Sequence, residues 1–229
     1  MKHSLLNFVF LILAFSMTSS AEILFQEDFS GSLSDNWILF GDPSPILCDT
    51  FGLPPPSFDC NGDAMYNSGI VSIESWNLSG GLVLECDMFV TSNERGAWIS
   101  GLIGLDYSTE DQGDEGTMPA DINLSYCYCG EADWAQPHLQ GTLYTSFNLP
   151  DGSNDNTSQC HINEYLDSWH QFRIVIEHDR RLSYYIDSTL VHQTELTLPP
   201  DIGALSVVLG VRSNEWGRVF HDNVVLRAL

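Results

Sequence analysis

Basic residues are the scarcest component of this chain. Lys and Arg together number 8 against 31 Asp and Glu, for a formal net charge of −23 over 229 residues. The single lysine is Lys2, so every later fixed cation is an arginine. That balance excludes general attraction to nucleic acid or to an anionic membrane surface, since both need clustered positive charge. Neutral glycans, cations and plain solubility remain as readings. Long apolar runs are missing too. Leu5 to Phe15 is shorter than the about 20 residues that cross a hydrocarbon core of ~30 Å. It follows Lys2 and His3 and precedes Ser19-Ser20-Ala21, the pattern of a secretory signal over residues 1–21. Residues 22–229 are then expected as one exported domain without a membrane span, extracellular or, in a Gram-negative host, periplasmic. Also lacking are amphipathic helices, internal repeats, a Gly-x-Ser-x-Gly elbow and an Asp-x-Asp-x-Asp-Gly calcium loop. Nucleophilic triads therefore have no motif to support them.

What the chain does contain is alternation. In Trp169 to Leu196, Phe172, Ile174 and Ile176 fall on one face, with Gln171, Arg173 and Glu177 on the other. Beyond the turn His178-Asp179-Arg180-Arg181, the positions Leu182, Tyr184 and Ile186 repeat the pattern. Period-two alternation between polar turns predicts antiparallel strands buried on one side. Further strands are expected over residues 23–29, 36–40, 69–75, 82–90, 98–107, 123–130, 138–147, 204–211 and 219–226. In the strand from Trp98, the residues Ile99, Gly101, Ile103 and Leu105 share a face opposite Trp98, Ser100 and Asp106. Gly41 to Asn67 reads as a Pro- and Gly-rich loop, and Asp151 to Gln159 as a polar one. About a dozen short strands in a chain of this size predict one all-β, antiparallel, two-sheet sandwich or jelly roll.

Three stretches carry a resemblance. Trp169-His-x-Phe-x-Ile with Leu182-x-Tyr-Tyr-x-Asp187 resembles the late meander of concanavalin A-like lectin/glucanase (laminin-G-like) domains. Phe25-Gln-Glu-Asp-Phe29-Ser-Gly, with Trp37 soon after, is similar to their first strand, and Asp222-Asn223-Val224 to their last. The resemblance implies neighbouring first and last strands, and a fold shared by lectins, glucanases and lyases. In its glucanases the motif is Glu-x-Asp-x-x-Glu, or one residue shorter, because retaining hydrolysis needs two carboxylates across the bond. Glu85 and Asp87 match its start, but Phe89 and Val90 stand where the second acid belongs. The pair reads instead as the polar face of a half-buried strand, and no catalytic residue is assigned. A lyase would draw on Arg212, His138, Gln140 and Tyr144.

A lectin-like site asks for aromatic faces with a few polar groups beside them. Trp98, Trp134, Tyr144 and Trp216 are the candidate stacking residues, and Gln140 and Arg212 the candidate donors. Trp37, Trp76 and Trp169 read as core. The expectation is a secreted carbohydrate-binding domain with a glycan or polysaccharide partner. The alternatives are a divergent glycoside hydrolase or polysaccharide lyase, or an exported structural or adhesion domain. The resemblance also implies a structural Ca2+, with Glu27, Asp63 and Asp222 in the matching positions. The cysteines number 6, an even count that suggests disulfides in an exported chain. Cys48 with Cys60 is the expected pair, and Cys160 is expected with Cys127 or Cys129. Cys86 reads as a buried thiol.

Overall fold

A computed structural model describes residues 21–41, 44–62, 67–92, 98–107, 120–129, 141–160, 164–213 and 217–229, with the side chains of 61, 62, 98, 129, 160, 213 and 217 outside that description. Residues 1–20 of the expected signal also fall outside it. Among the described residues, fifteen strands and one short helix follow in order: β1 (Ile23–Glu27), α1 (Leu33–Asn36), β2 (Trp37–Phe40), β3 (Ile46–Cys48), β4 (Ser57–Gly62), β5 (Asn67–Asn77), β6 (Leu82–Val90) and β7 (Trp98–Asp106). The second half holds β8 (Ile122–Cys129), β9 (Thr142–Phe147), β10 (Thr157–Cys160), β11 (Trp169–Ile176), β12 (Arg181–Ile186), β13 (Thr189–Thr197), β14 (Ala204–Ser213) and β15 (Gly217–Ala228).

They form two antiparallel sheets. Sheet A runs β13-β12-β11-β6-β15-β4-β3, with β1 also paired to β15, and sheet B runs β10-β9-β8-β7-β14-β5-β2. The first and last strands are therefore neighbours, as the resemblance implied.

Alternation explains the core between them. Phe172, Ile174 and Ile176 of β11 and Leu82, Leu84, Cys86, Met88 and Val90 of β6 are all buried. From sheet B they meet Ile99, Ile103 and Leu105 of β7, Leu124 and Tyr126 of β8, and Val207, Leu209 and Val211 of β14. The two layers approach closely at Gly101, where a Cβ would lie 2.7 Å from Val219 Cγ1 and 2.9 Å from Met88 Sδ. On β15 the inward set changes parity, from Val219 and His221 to Val224 and Leu226. A bulge between Asp222 and Val225, with Asn223 at φ 50°, makes that switch.

Three expectations need correction. The stretch 41–67 holds β3 and β4, and 151–159 holds the start of β10, where loops were expected. Short strands with Pro and Gly around them carry too few residues for alternation to show. Trp169 is not in the inter-sheet core. It leaves β11 on the outer side, stacked with Phe51 at 5.4 Å and edge-on to Phe89 at 5.6 Å.

The Cys48–Cys60 bridge is also absent, for a reason of parity. Cys48 pairs with Ser57 and Ile46 with Asp59, so Cys48 shares a face with Ser57 and Asp59. Cys60 points the other way, into the core with Phe58. Their sulfurs lie on opposite sides of the hairpin. Cys60 Sγ instead stands 3.9 Å from His221 Nδ1, and Cys48 Sγ 3.6 Å from the Thr50 hydroxyl. Cys86 is a buried free thiol, as expected. The side chains of Cys129 and Cys160 fall outside the described residues. Register places Thr142 of β9 between Cys127 and Cys160.

Candidate functional site

The outer face of sheet B carries a cavity of about 330 Å³ lined by Ser100, Leu102, Asn123, Ser125, Tyr144, Ser146 and Arg212. Strand register brings these residues together from four separate segments. One row across the sheet runs Arg212–Ser100–Cys127–Thr142, a second Gly210–Leu102–Ser125–Tyr144, and a third Gly104–Asn123–Ser146. Each lining residue sits one position from a buried core residue, so the alternation that builds the core also aims this set outward. Its depth comes from small side chains. Gly210 and Gly104 extend two of these rows, and a Cβ on Gly104 would sit 2.8 Å from the Ile122 carbonyl oxygen.

Chemically the lining is mixed. Three serine hydroxyls, the Tyr144 phenol, the Asn123 amide and the Arg212 guanidinium surround the apolar Leu102. Tyr144 and Ser146 are partly exposed and Arg212 is exposed, whereas Ser100, Ser125 and Leu102 form a buried floor. No carboxylate is among the described residues lining the cavity. Such a surface offers donors, acceptors and an aromatic ring to an uncharged polar ligand.

Of the residues singled out from sequence, Tyr144 and Arg212 meet in this cavity. Trp98 stands at the first position of β7, two residues before Ser100, with its side chain outside the described set. Trp134, Gln140, Trp216 and His138 lie outside the described residues. Sequence reasoning missed Leu102, Asn123, Ser125 and Ser146. Their signal was present in the polar or small residues alternating with Ile103, Leu124 and Phe147. Nothing in one strand, however, shows that three neighbours contribute to the same hollow.

Glu85 and Asp87 lie on the other sheet. Glu85 is buried on the outer side of sheet A, where it accepts a hydrogen bond from Arg227 Nη2. Arg173 Nη1 approaches its second oxygen at 3.7 Å, and the same guanidinium lies 4.2 Å from the centre of the Tyr185 ring. Asp87 accepts from Asn223 Nδ2 at 3.0 Å, and burial raises its carboxyl above the ordinary range. Phe89, the next residue on that side, packs edge-on against Phe51 at 5.0 Å. This arrangement fits an arginine-clamped structural carboxylate, and the glucanase-like start of the motif does not face the cavity.

Two of the carboxylates matched to a calcium site, Glu27 and Asp222, accept N–H donors. Glu27 accepts from Phe29 N at 2.8 Å and from Asn36 Nδ2 and Trp37 Nε1 at 2.9 and 3.1 Å. Asp222 accepts from Leu53 N and Asn223 N at 2.5 and 2.8 Å, and burial raises its carboxyl. Asp63 falls outside the described residues, and among those described no three ligating side chains cluster. These N–H donors leave each carboxylate with further lone pairs. A structural Ca2+ bound only by the folded state predicts a Tm several degrees lower in chelator. A thermal melt unchanged by chelator would remove the ion from these residues.

No family model matches this sequence, and no curated protein matches it. Solved structures do match its fold. The T. cruzi calreticulin globular domain is similar over 90% of this chain and 88% of that one, with a TM-score of 0.61 and 14% identity. The potassium-bound carbohydrate recognition domain of Emp46p covers 85% of this chain and 89% of its own, with a TM-score of 0.62 and 10% identity. A glycoside hydrolase family 16 endo-glucanase from Bacteroides ovatus covers 89% of this chain and 100% of its own, with a TM-score of 0.64 and 11% identity. Lectin domains and glucanases thus share one architecture with this protein, at identities that show fold alone. The chain is a concanavalin A-like, jelly-roll β-sandwich.

Proposed function

We propose that this protein is an exported, lectin-like domain that holds a neutral glycan on the outer face of sheet B without cleaving it. The observation that carries the reading is the cavity itself, with the Tyr144 ring beside three serines, Asn123 and Arg212. A pyranose presents an apolar face to an aromatic ring and a rim of hydroxyls to such donors and acceptors. The volume suits one or two sugar rings. A net charge of −23 favours a neutral polymer over a uronate. The carbohydrate recognition domain of Emp46p supports the same class of ligand by analogy of fold.

Hydrolysis is the weaker reading on a specific observation: Glu85 is held by Arg227 on the opposite sheet. Glycan-array screening followed by calorimetry tests the proposal. Arg212→Ala is expected to weaken binding roughly tenfold or more, since a hydrogen bond to a charged group contributes ~1.5–3 kcal/mol. Tyr144→Ala should cost about as much, through the lost stacking face. Binding to no glycan, or binding indifferent to both substitutions, would remove this site from consideration.

A further inference from the structure

Where β11 begins, away from the Tyr144 cavity, three side chains form a hydrogen-bonded chain that no sequence motif announces. Ser168 Oγ is 2.7 Å from His170 Nε2, and His170 Nδ1 is 2.6 Å from Asp187 Oδ2. The local backbone accounts for this. Ser168 stands in the bend that leads into β11, after Asp167 at φ 52°, and the bend brings its side chain to that of His170. Asp187 comes from the turn between β12 and β13, where Asp187 and Ser188 have φ of 47° and 68°, as a tight two-residue hairpin requires. That turn is tied to β11 twice. Asp187 N donates to the Gln171 carbonyl at 2.9 Å, and Gln171 N donates to Asp187 Oδ1 at 3.0 Å. The carboxylate is therefore fixed before it meets the imidazole. Tyr165 lies edge-on to the ring at 5.1 Å and restricts its rotation.

With Nδ1–H held by the carboxylate, the neutral imidazole turns its Nε2 lone pair toward the Ser168 hydroxyl. Ser168 is partly exposed and has a second acceptor in the Leu166 carbonyl, at 3.0 Å. Its hydroxyl donates to Nε2 while the ring is neutral. Once both ring nitrogens carry protons, it accepts from Nε2 and donates to Leu166. Both protonation states of the ring are thereby accommodated without movement of a heavy atom.

We propose that Ser168 is a nucleophile for acyl transfer from neutral or cationic carboxylic esters, with His170 as the general base and Asp187 as its positioning residue. Ser168 Oγ bonds to the ester carbonyl carbon as its proton passes to His170 Nε2. The tetrahedral adduct breaks its bond to the alcohol oxygen, which takes that proton from Nε2 and departs. Water then attacks the acyl-serine, giving a proton to Nε2, and the carboxylic acid leaves as Ser168 regains its hydrogen. The charge preference follows from the surroundings. Asp187 lies 2.6 Å from the imidazole, and Glu164 and Asp167 stand in the segment that carries Ser168. Carboxylates placed there repel an anionic ester.

An uncharged fluorophosphonate probe, read by peptide mass spectrometry, tests this directly. One label per chain is expected, on Ser168, and none on Ser168→Ala. Asp187→Asn, which leaves both reacting atoms in place, should slow labelling by ~10²-fold, the lower range for general-base assistance. It should also remove the downfield Nδ1 proton resonance of His170, which a purely packing role would not produce. Intact-fold controls by circular dichroism accompany both variants. Labelling of the wild type no faster than of Ser168→Ala, or labelling at another residue, overturns the proposal.

Discussion

Between pH 6.5 and pH 4 the folded state is expected to lose roughly 3 kcal/mol of stability through one residue, His221, whose pKa burial pushes down from 6.5 to about 4. The side chain is fully buried on β15 and bridges the two layers. Its Nε2–H donates to the Leu102 carbonyl of β7 at 2.9 Å, and its Nδ1 faces the Cys60 thiol at 3.9 Å. A second proton on the ring would have to sit at Nδ1, facing the Cys60 thiol in the buried core.

The direction of the pH effect follows from proton counting. Below its ordinary pKa the unfolded chain binds the proton, whereas the folded chain refuses it until about pH 4. The stabilisation is therefore complete above pH 6.5 and falls away as the pH drops toward 4. Asp87 and Asp222 work in the opposite sense, since burial raises their carboxyls and protonation relieves them. They soften the lower end of the limb. Urea midpoints at pH 7, 5.5 and 4.5 measure it. His221→Gln, which keeps an amide donor for Leu102, should be less stable at pH 7 and lose less on acidification. A wild-type midpoint that stays flat from pH 7 to 4.5 would contradict this account.

The second large effect concerns Asp59, whose carboxylate is almost wholly buried while its partner Arg218 is half exposed. Arg218 Nη2 donates to one carboxylate oxygen and Nε lies 3.4 Å from the other, so the contact is two-pronged. The guanidinium also lies 4.8 Å from the centre of the Phe220 ring. Arg218→Ala leaves a buried carboxylate without its cation. The expected cost is about 3 kcal/mol, at the low end for a broken buried pair because Arg218 keeps contact with water. Arg218→Lys should recover only part of it, since an ammonium cannot make the paired contact. Asp59→Asn combined with Arg218→Ala should be less destabilising than Arg218→Ala alone, since the unpaired charge goes with the carboxylate. A double-mutant cycle in urea would show that coupling. Additive costs for the two changes would mean that the pair contributes little.

Much of this architecture was written in the chain. Alternation in Phe172, Ile174 and Ile176, and again in Ile99, Ile103 and Leu105, predicted strands with one buried face, and all six side chains are buried. Period two is a property of the backbone, so a long strand between clear turns declares itself without its neighbours. The short strands β3, β4 and β10 did not, because three to six residues beside prolines, glycines and asparagines carry too little pattern. Trp169 shows a second limit. Its hydrophobicity suggested the core, but its parity puts it outside, under Phe51. The Cys48–Cys60 expectation failed on parity as well, for spacing along a chain does not say which face each sulfur takes.

Composition and alternation by themselves determined an acidic, antiparallel sandwich, and they placed Tyr144 on the polar face of its strand. Only tertiary structure decided that Tyr144 shares a cavity with Arg212, Ser100, Asn123 and Ser125, and that Ser168, His170 and Asp187 touch. Both groupings are set by register and by turns between strands distant in sequence, and these reflect packing of the whole sheet rather than the preference of any one segment.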